Sequence, residues 1–235
     1  MTMPNRLVLF DFDGTLADTA PDLAAAANRQ RHYRGLPPLP YEALRPYASH
    51  GARGLLKAAL GLDASSDEYE ASRERFLRDY ADAMLVRTRL FPGIPELLDL
   101  LGGQAYGWGI VTNKVESLAL PIVHHLGLQD RCLVTVGGDT TPHTKPHPEP
   151  LLHAARQAGV APEYCIYIGD DERDIVAGQA AGMATVAAAY GYCSLDDPSR
   201  WGADAVAGTP AELWPLIERW TGGGLGPART AQEAV

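Results

Sequence analysis

Four successive apolar residues, Leu7-Val8-Leu9-Phe10, show no polar alternation, the pattern of a strand buried on both faces. The same signature returns at Tyr106–Val111, Cys132–Val136, Cys165–Ile168 and Ala184–Ala187. Helical periodicity fills most of the gaps, over Ile94–Leu101, Val115–Leu126, Pro148–Ala158 and Arg173–Ala181. Strands alternating with helices predict an α/β fold: a Rossmann-like parallel sheet with helices on both faces. Ligands of such sheets collect at the carboxyl ends of the strands, so chemistry is expected where each apolar run stops.

The rhythm breaks between Thr19 and Val86. Pro21–Tyr33 holds Leu23-Ala24-Ala25-Ala26-Ala27, strong helix formers, and Gly35 with Pro37-Pro38 stops the helix. Gly54–Leu60 and Ser66–Val86 predict further helices, with no convincing strand between them. A helical cap domain inserted over residues 19–86 is therefore expected, with the α/β core formed by residues 1–18 and 87–220. Phe91-Pro92-Gly93 marks the return to that core. From Thr221 the chain is small and polar, and residues 221–235 are expected to be a disordered tail.

Composition adjusts this picture only at its margins. At 235 residues, 46% hydrophobic and 21% charged, the chain can bury a sizeable core in one or two domains. A net charge of −9 argues against binding nucleic acid or an anionic membrane surface. No run reaches the roughly 18 apolar residues of a membrane span, and the first charged positions come too early for a signal peptide. Cys132, Cys165 and Cys193 are widely spaced and fit no zinc pattern, so a reduced, cytoplasmic protein is expected, as monomer or homodimer.

The first chemical signal is Asp11-Phe12-Asp13-Gly14-Thr15, directly after a buried strand. Strand positions i and i+2 face one side, so Asp11 and Asp13 can converge while Phe12 points away. Carboxylates this close must share a proton or hold a cation. Ile166-Tyr167-Ile168 runs into Gly169-Asp170-Asp171-Glu172-Arg173-Asp174, and a parallel sheet puts both acidic clusters on one edge. Three or more carboxylates around a point call for a cation, and an all-oxygen donor set favours a hard one, Mg²⁺. Helix N-terminal acids are favourable on their own account, which explains Glu172 but not a matching cluster on a second strand. Thr112 and Asn113 end a third strand with groups suited to phosphate oxygens, and Lys145 follows a fourth.

The ordered set Asp11-Phe12-Asp13-Gly14-Thr15, Val111-Thr112-Asn113, Lys145 before Pro146, and Gly169–Asp174 resembles the four motifs of the haloacid dehalogenase superfamily across residues 7 to 220. The resemblance implies a phosphatase in which Asp11 is the nucleophile and Asp13 the general acid/base. It implies that Thr112 and Lys145 bind phosphate, and that Mg²⁺ is held by Asp11, by Asp13 through its main-chain carbonyl, and by Asp170. It further implies that Asp174 supports Lys145 or the metal's water shell, with Asp171 a second supporting acid that reaches the metal either directly or through water. Dehalogenases lack an acid at the Asp13 place, since a halide leaving group needs no proton, so dehalogenation is rejected. The insertion resembles the mobile cap of the phosphoglycolate phosphatase-like branch.

Within that branch the substrate is expected to be a small phosphate monoester. General character resembles the phosphoglycolate phosphatases. The runs Phe91–Leu98, Thr112-Asn113-Lys114, Gly169–Ile175, Tyr190-Gly191-Tyr192 and Trp201–Asp204 resemble the N-acetylmuramic acid 6-phosphate phosphatases of peptidoglycan recycling. Arg53, in the cap turn Ser49-His50-Gly51-Ala52-Arg53, is a candidate for substrate carboxylate or sugar oxygens. His50, His143 and His147 read as loop histidines. A sugar phosphomutase, which must keep its aspartyl phosphate long enough to return it, and a non-catalytic binding module are the competing classes.

Overall fold

In a computed structural model of the chain, residues 5–104, 106–193 and 196–225 are described. The chain runs β1 (Leu7–Phe10), β2 (Ala17–Asp18), α1 (Ala20–His32), α2 (Tyr41–Leu44), a 3₁₀ segment Arg45–His50, α3 (Gly51–Leu60), α4 (Tyr69–Ala81) and β3 (Arg89–Leu90). It continues α5 (Ile94–Gly103), β4 (Gly107–Val111), α6 (Glu116–His125), β5 (Val134–Val136), α7 (Glu149–Ala158), β6 (Cys165–Gly169), α8 (Glu172–Ala180), β7 (Ala184–Ala188), β8 (Ala205–Ala207) and α9 (Leu213–Thr221). Six strands form one parallel sheet in the order β5-β4-β1-β6-β7-β8. β1 lies at its centre, with Phe10 level with Ile110 on one side and Ile168 on the other. The ends of β1, β4 and β6 are therefore neighbours, and each precedes one of the motifs.

The apolar runs are unbroken because both faces are covered. Val8 and Phe10 pack with α5, α6 and α9 through residues such as Leu97, Ile122 and Ile217. Leu7 and Leu9 pack on the opposite face with Leu151 and Ala154 of α7 and Ala177 of α8. The helical insertion enters and leaves through an antiparallel two-residue ribbon, with Ala17 opposite Leu90 and Asp18 opposite Arg89. Inside it, α1, α3 and α4 pack on one another, and the small buried residues Ala24, Ala26 and Ala27 of α1 let the helices approach closely.

Both ends of this hinge are tied. The Tyr192 hydroxyl accepts from the amides of Thr19 (2.8 Å) and Ala20 (3.0 Å), doing the capping that the N-cap residue Thr19, its own hydroxyl turned to Asp13, does not. Asp22, 2% exposed, accepts from the Arg87 amide (2.9 Å), the Thr88 amide (2.9 Å) and the Thr88 hydroxyl (3.0 Å).

Several boundaries differ from those read from sequence. The strand expected over Cys132–Val136 is β5, Val134–Val136 only; the Cys132 amide closes a turn onto Leu128 and Leu133 is 53% exposed. The last cap helix is shorter than residues 66–86, ending at Ala81. The tail does not begin at 221: Thr221 is the last residue of α9, and Leu225 packs against the core. The remainder of the expected tail, residues 226–235, lies outside the described residues. No helix among the described residues is long and apolar enough to cross a membrane, and all three cysteines are free.

Candidate active site

Asp11 leaves β1 with its amide bonded to the Ile168 carbonyl at 2.8 Å, and Asp170 leaves β6 beside it. Asp11, Asp170 and Asp174 are all buried and offer carboxylate oxygens lying within 4.8 Å of one another. Two glycines make room for this. A Cβ on Gly14 (φ 84°) would sit 2.1 Å from Asp170 Oδ2, and one on Gly191 would sit 2.3 Å from Asp170 Cβ. Asp170 is thus clasped between two backbones, held by the Tyr192 amide (2.8 Å), the Ser49 hydroxyl (3.1 Å) and the Thr15 hydroxyl (3.2 Å).

Burial pushes the Asp11 carboxyl up to about 7; Lys145 opposes that rise and Asp174 adds to it. Burial, reinforced by Asp11 and Asp174, holds Asp170 well above the usual carboxylate range. Asp11 and Asp170 resist ionising side by side, and an all-oxygen cavity of this kind is relieved by a hard divalent cation. The residues present fit Mg²⁺.

Lys145 is the cation that the site supplies itself. Only 4% exposed, its ammonium reaches Asp11 (2.8 Å), Asp174 (2.7 Å), the Val111 carbonyl (3.0 Å) and the Tyr167 hydroxyl (2.7 Å). Burial works against its charge, but the two carboxylates outweigh it and raise its pKa. Asn113 holds the backbone beneath: its Nδ2 donates to the Lys145 carbonyl and its Oδ1 accepts from the Lys145 amide, both at 3.0 Å. Thr112 is buried, with its hydroxyl accepting from the Lys114 amide at 3.2 Å.

The Asp13 side chain lies outside the triad. Its Oδ1 accepts from the Thr19 hydroxyl (2.5 Å) and from Lys114 Nζ (2.6 Å), which also reaches the cap's Tyr80 hydroxyl at 3.0 Å. Asp171 is spoken for as well. It caps α8 and accepts from Arg173 Nε and Nη2, both at 2.7 Å; this fork outweighs burial and keeps its pKa low. Arg173 also donates to the Ser49 carbonyl at 2.9 Å, a second clasp between core and insertion.

Above the carboxylates a cavity of about 340 Å³ opens between sheet edge and insertion. Asp11, Asp13, Thr112, Asn113, Lys145 and Asp174 line its floor; Arg53, Arg73, Tyr69, Phe76 and Leu77 form its far wall. Arg53 is exposed on that wall and makes no hydrogen bond or ion pair among the described residues. His50 approaches Asp171 at 3.9 Å, while the His143 and His147 rings lie 4.2 Å apart, tilted by 31°; none joins the triad.

Sequence comparison agrees with this geometry. The model of the haloacid dehalogenase-like hydrolases matches residues 8–188. The chain belongs to that family. A phosphoglycolate phosphatase of Xanthomonas campestris pv. campestris is 48% identical over 211 residues, covering 89% of this chain and 95% of that protein. The N-acetylmuramic acid 6-phosphate phosphatase of Pseudomonas aeruginosa is 44% identical over 215 residues, covering 91% and 95%. A crystal structure described as a predicted phosphoglycolate phosphatase from Haemophilus somnus superposes with a TM-score of 0.79 at 28% identity, covering 92% of this chain and 99% of that one. The chain is a haloacid dehalogenase-like phosphatase of the phosphoglycolate phosphatase-like branch, acting through an aspartate nucleophile on a small phosphate substrate.

Sequence reasoning missed Lys114, Tyr80, Thr15, Thr19, Ser49 and Tyr192 as members of the site. Lys114 carried a usable signal, a cation immediately after a strand-end Thr-Asn, but an isolated lysine reads by default as solvated.

Proposed function

We propose that Asp11 attacks phosphorus in line to form an aspartyl phosphate while Asp13 gives a proton to the departing alkoxide oxygen. Asp13 then takes a proton from water as that water hydrolyses the acyl phosphate. Lys145 fixes the Asp11 carboxylate and, with Thr112, faces the equatorial phosphoryl oxygens. Asp174 holds Lys145 from behind, and Asn113 keeps its backbone in place. Asp11, Asp170 and the Asp13 carbonyl would hold Mg²⁺, whose charge lets an anionic phosphoryl group approach anionic Asp11. The observation that carries this reading is the buried triad of Asp11, Asp170 and Asp174 with Lys145 bonded to two of its members. Phosphate release from p-nitrophenyl phosphate, abolished by EDTA and restored by Mg²⁺, tests it. Stoichiometric free phosphate also separates it from a mutase.

For the substrate, a phosphate monoester that also bears a carboxylate fits Arg53 and Arg73 on the cavity wall. 2-Phosphoglycolate is the first reading, in keeping with the Xanthomonas relative. The second is N-acetylmuramic acid 6-phosphate. The observation favouring it is a cavity of about 340 Å³ with Tyr69, Phe76 and Leu77 on its wall, more room and more apolar surface than a two-carbon acid fills. Side-by-side kcat/KM on the two compounds decides: a strong preference for 2-phosphoglycolate rejects the sugar acid, and the reverse rejects the first reading.

A further inference from the structure

Lys114 stands at the end of β4, one residue past the Asn113 that fastens Lys145, and its side chain is 8% exposed. Its ammonium joins two bodies: Asp13 of the sheet edge at 2.6 Å and Tyr80 of α4 at 3.0 Å, lying also 4.9 Å from the Tyr80 ring centroid. Tyr80 is itself 1% exposed and stacks on Phe76. A buried lysine–carboxylate pair is a weak source of stability, because desolvation offsets most of the attraction. What the arrangement does fix is geometry.

Both donors to Asp13 converge on a single oxygen. Lys114 Nζ and the Thr19 hydroxyl each donate to Oδ1, while Oδ2 has no protein partner among the described residues. An oxygen that accepts two such bonds is a poor seat for a proton, so the transferable proton is assigned to Oδ2 and the carboxyl plane is set. Both donors also depend on the insertion. Thr19 sits at the entry to α1, its amide bonded to Tyr192, and Lys114 has its second partner on α4.

We propose that Lys114 is a positioning residue that aims Asp13 Oδ2 at the leaving-group oxygen only while Tyr80 of the closed insertion is seated on it. The proposal rests on the phosphatase reading above. In the step concerned, the Asp11–phosphorus bond forms, the phosphorus–oxygen ester bond breaks, and the proton passes from Asp13 Oδ2 to the departing oxygen. With Tyr80 displaced, the ammonium loses one of its two anchors and the carboxyl its fixed orientation. Proton delivery is thereby confined to a site shut against water.

Leaving-group dependence tests this. Phenyl phosphate and p-nitrophenyl phosphate have nearly one shape, but the first needs a proton on its departing oxygen far more than the second. Lys114→Met keeps the apolar stem; Tyr80→Phe removes only the hydroxyl and is the variant expected to fold in any event. For Lys114→Met, kcat/KM on phenyl phosphate is expected to fall about 10-fold further than on p-nitrophenyl phosphate, part of the range that general acid catalysis contributes. Tyr80→Phe should shift the same ratio in the same direction by about 3-fold. An equal loss on both substrates in Lys114→Met overturns the proposal, since binding or folding alone would do that. An unchanged ratio in Tyr80→Phe overturns the link to the insertion. A wild-type protein that releases no phosphate from either compound with Mg²⁺ present would instead sink the phosphatase reading, and this inference with it.

Discussion

Replacing Lys145 with methionine keeps most of the length of the side chain and deletes one charge from a buried position between two carboxylates. The ammonium pairs with Asp174 at 2.7 Å and Asp11 at 2.8 Å. At an effective dielectric of about 20, a unit pair at such spacing is worth about 6 kcal/mol before desolvation. Measured losses on removing one partner of a buried pair run at about 3–5 kcal/mol, and the lower end is expected where Asp11 carries no charge. That condition holds in metal-free protein below pH 7. There Asp11, raised by burial from the ordinary carboxylate range to about 7, is protonated in wild type and variant alike. Above pH 7 the wild type ionises Asp11 against Lys145, whereas the variant, lacking the charge that holds that pKa down, keeps its proton. The gap between them should widen by up to about 1.4 kcal/mol per pH unit. Urea unfolding in EDTA at pH 6 and pH 8.5 should therefore give a destabilisation of about 3 kcal/mol at the first and up to about 2 kcal/mol more at the second. A loss below about 1 kcal/mol at both, or one that shrinks as pH rises, would refute this account of Lys145.

Other variants probe the remaining parts. Asp13→Asn should leave Mg²⁺ affinity within a few-fold by calorimetry yet lower kcat by at least about 100-fold; near-normal turnover removes Asp13 from the mechanism. Asp22→Ala strips the Arg87 and Thr88 amides of their acceptor and should cost about 3 kcal/mol in thermal or urea unfolding, with a loss under about 1 kcal/mol counting against the hinge description. Arg53→Ala should raise KM for a phosphocarboxylate about 10-fold or more while sparing p-nitrophenyl phosphate, and equal effects on both would exclude a carboxylate contact.

The sheet and the carboxylate edge were legible because they depend on strong local signals. β1, β4 and β6 are continuously apolar and β7 is interrupted only by Thr185, and strand ends in a parallel sheet gather at one edge whatever the loops do. The β2–β3 ribbon was not legible, since two residues carry no periodicity, and neither was β8, whose Ala205-Val206-Ala207 is weakly apolar. Near the site, sequence gave neighbourhood but not partner. The sequence pattern points Asn113 at phosphate, yet both ends of its amide are engaged by the Lys145 backbone. Asp171 is expected to support the metal site, directly or through water, but Arg173, two residues on in the same helix turn, captures both its oxygens. Lys114 and Tyr80 are 34 residues apart in sequence, and no spacing rule joins a helix of the insertion to a loop of the sheet.

Tyr192 touches both halves of the machinery, its amide on Asp170 and its hydroxyl on the first turn of α1. The insertion is thus not an interchangeable part. A chimera carrying a foreign cap between the two ribbon strands would have to offer two unsatisfied amides at the same spot, or leave the buried Tyr192 oxygen bonded to the ribbon alone, without its two amide donors. Conversely, a change at position 192 made to retune the hinge would disturb the carboxylate beside it. Substrate range and metal affinity in this chain share one tyrosine, and exploring new caps by recombination would require that the loop after β7 travel with them.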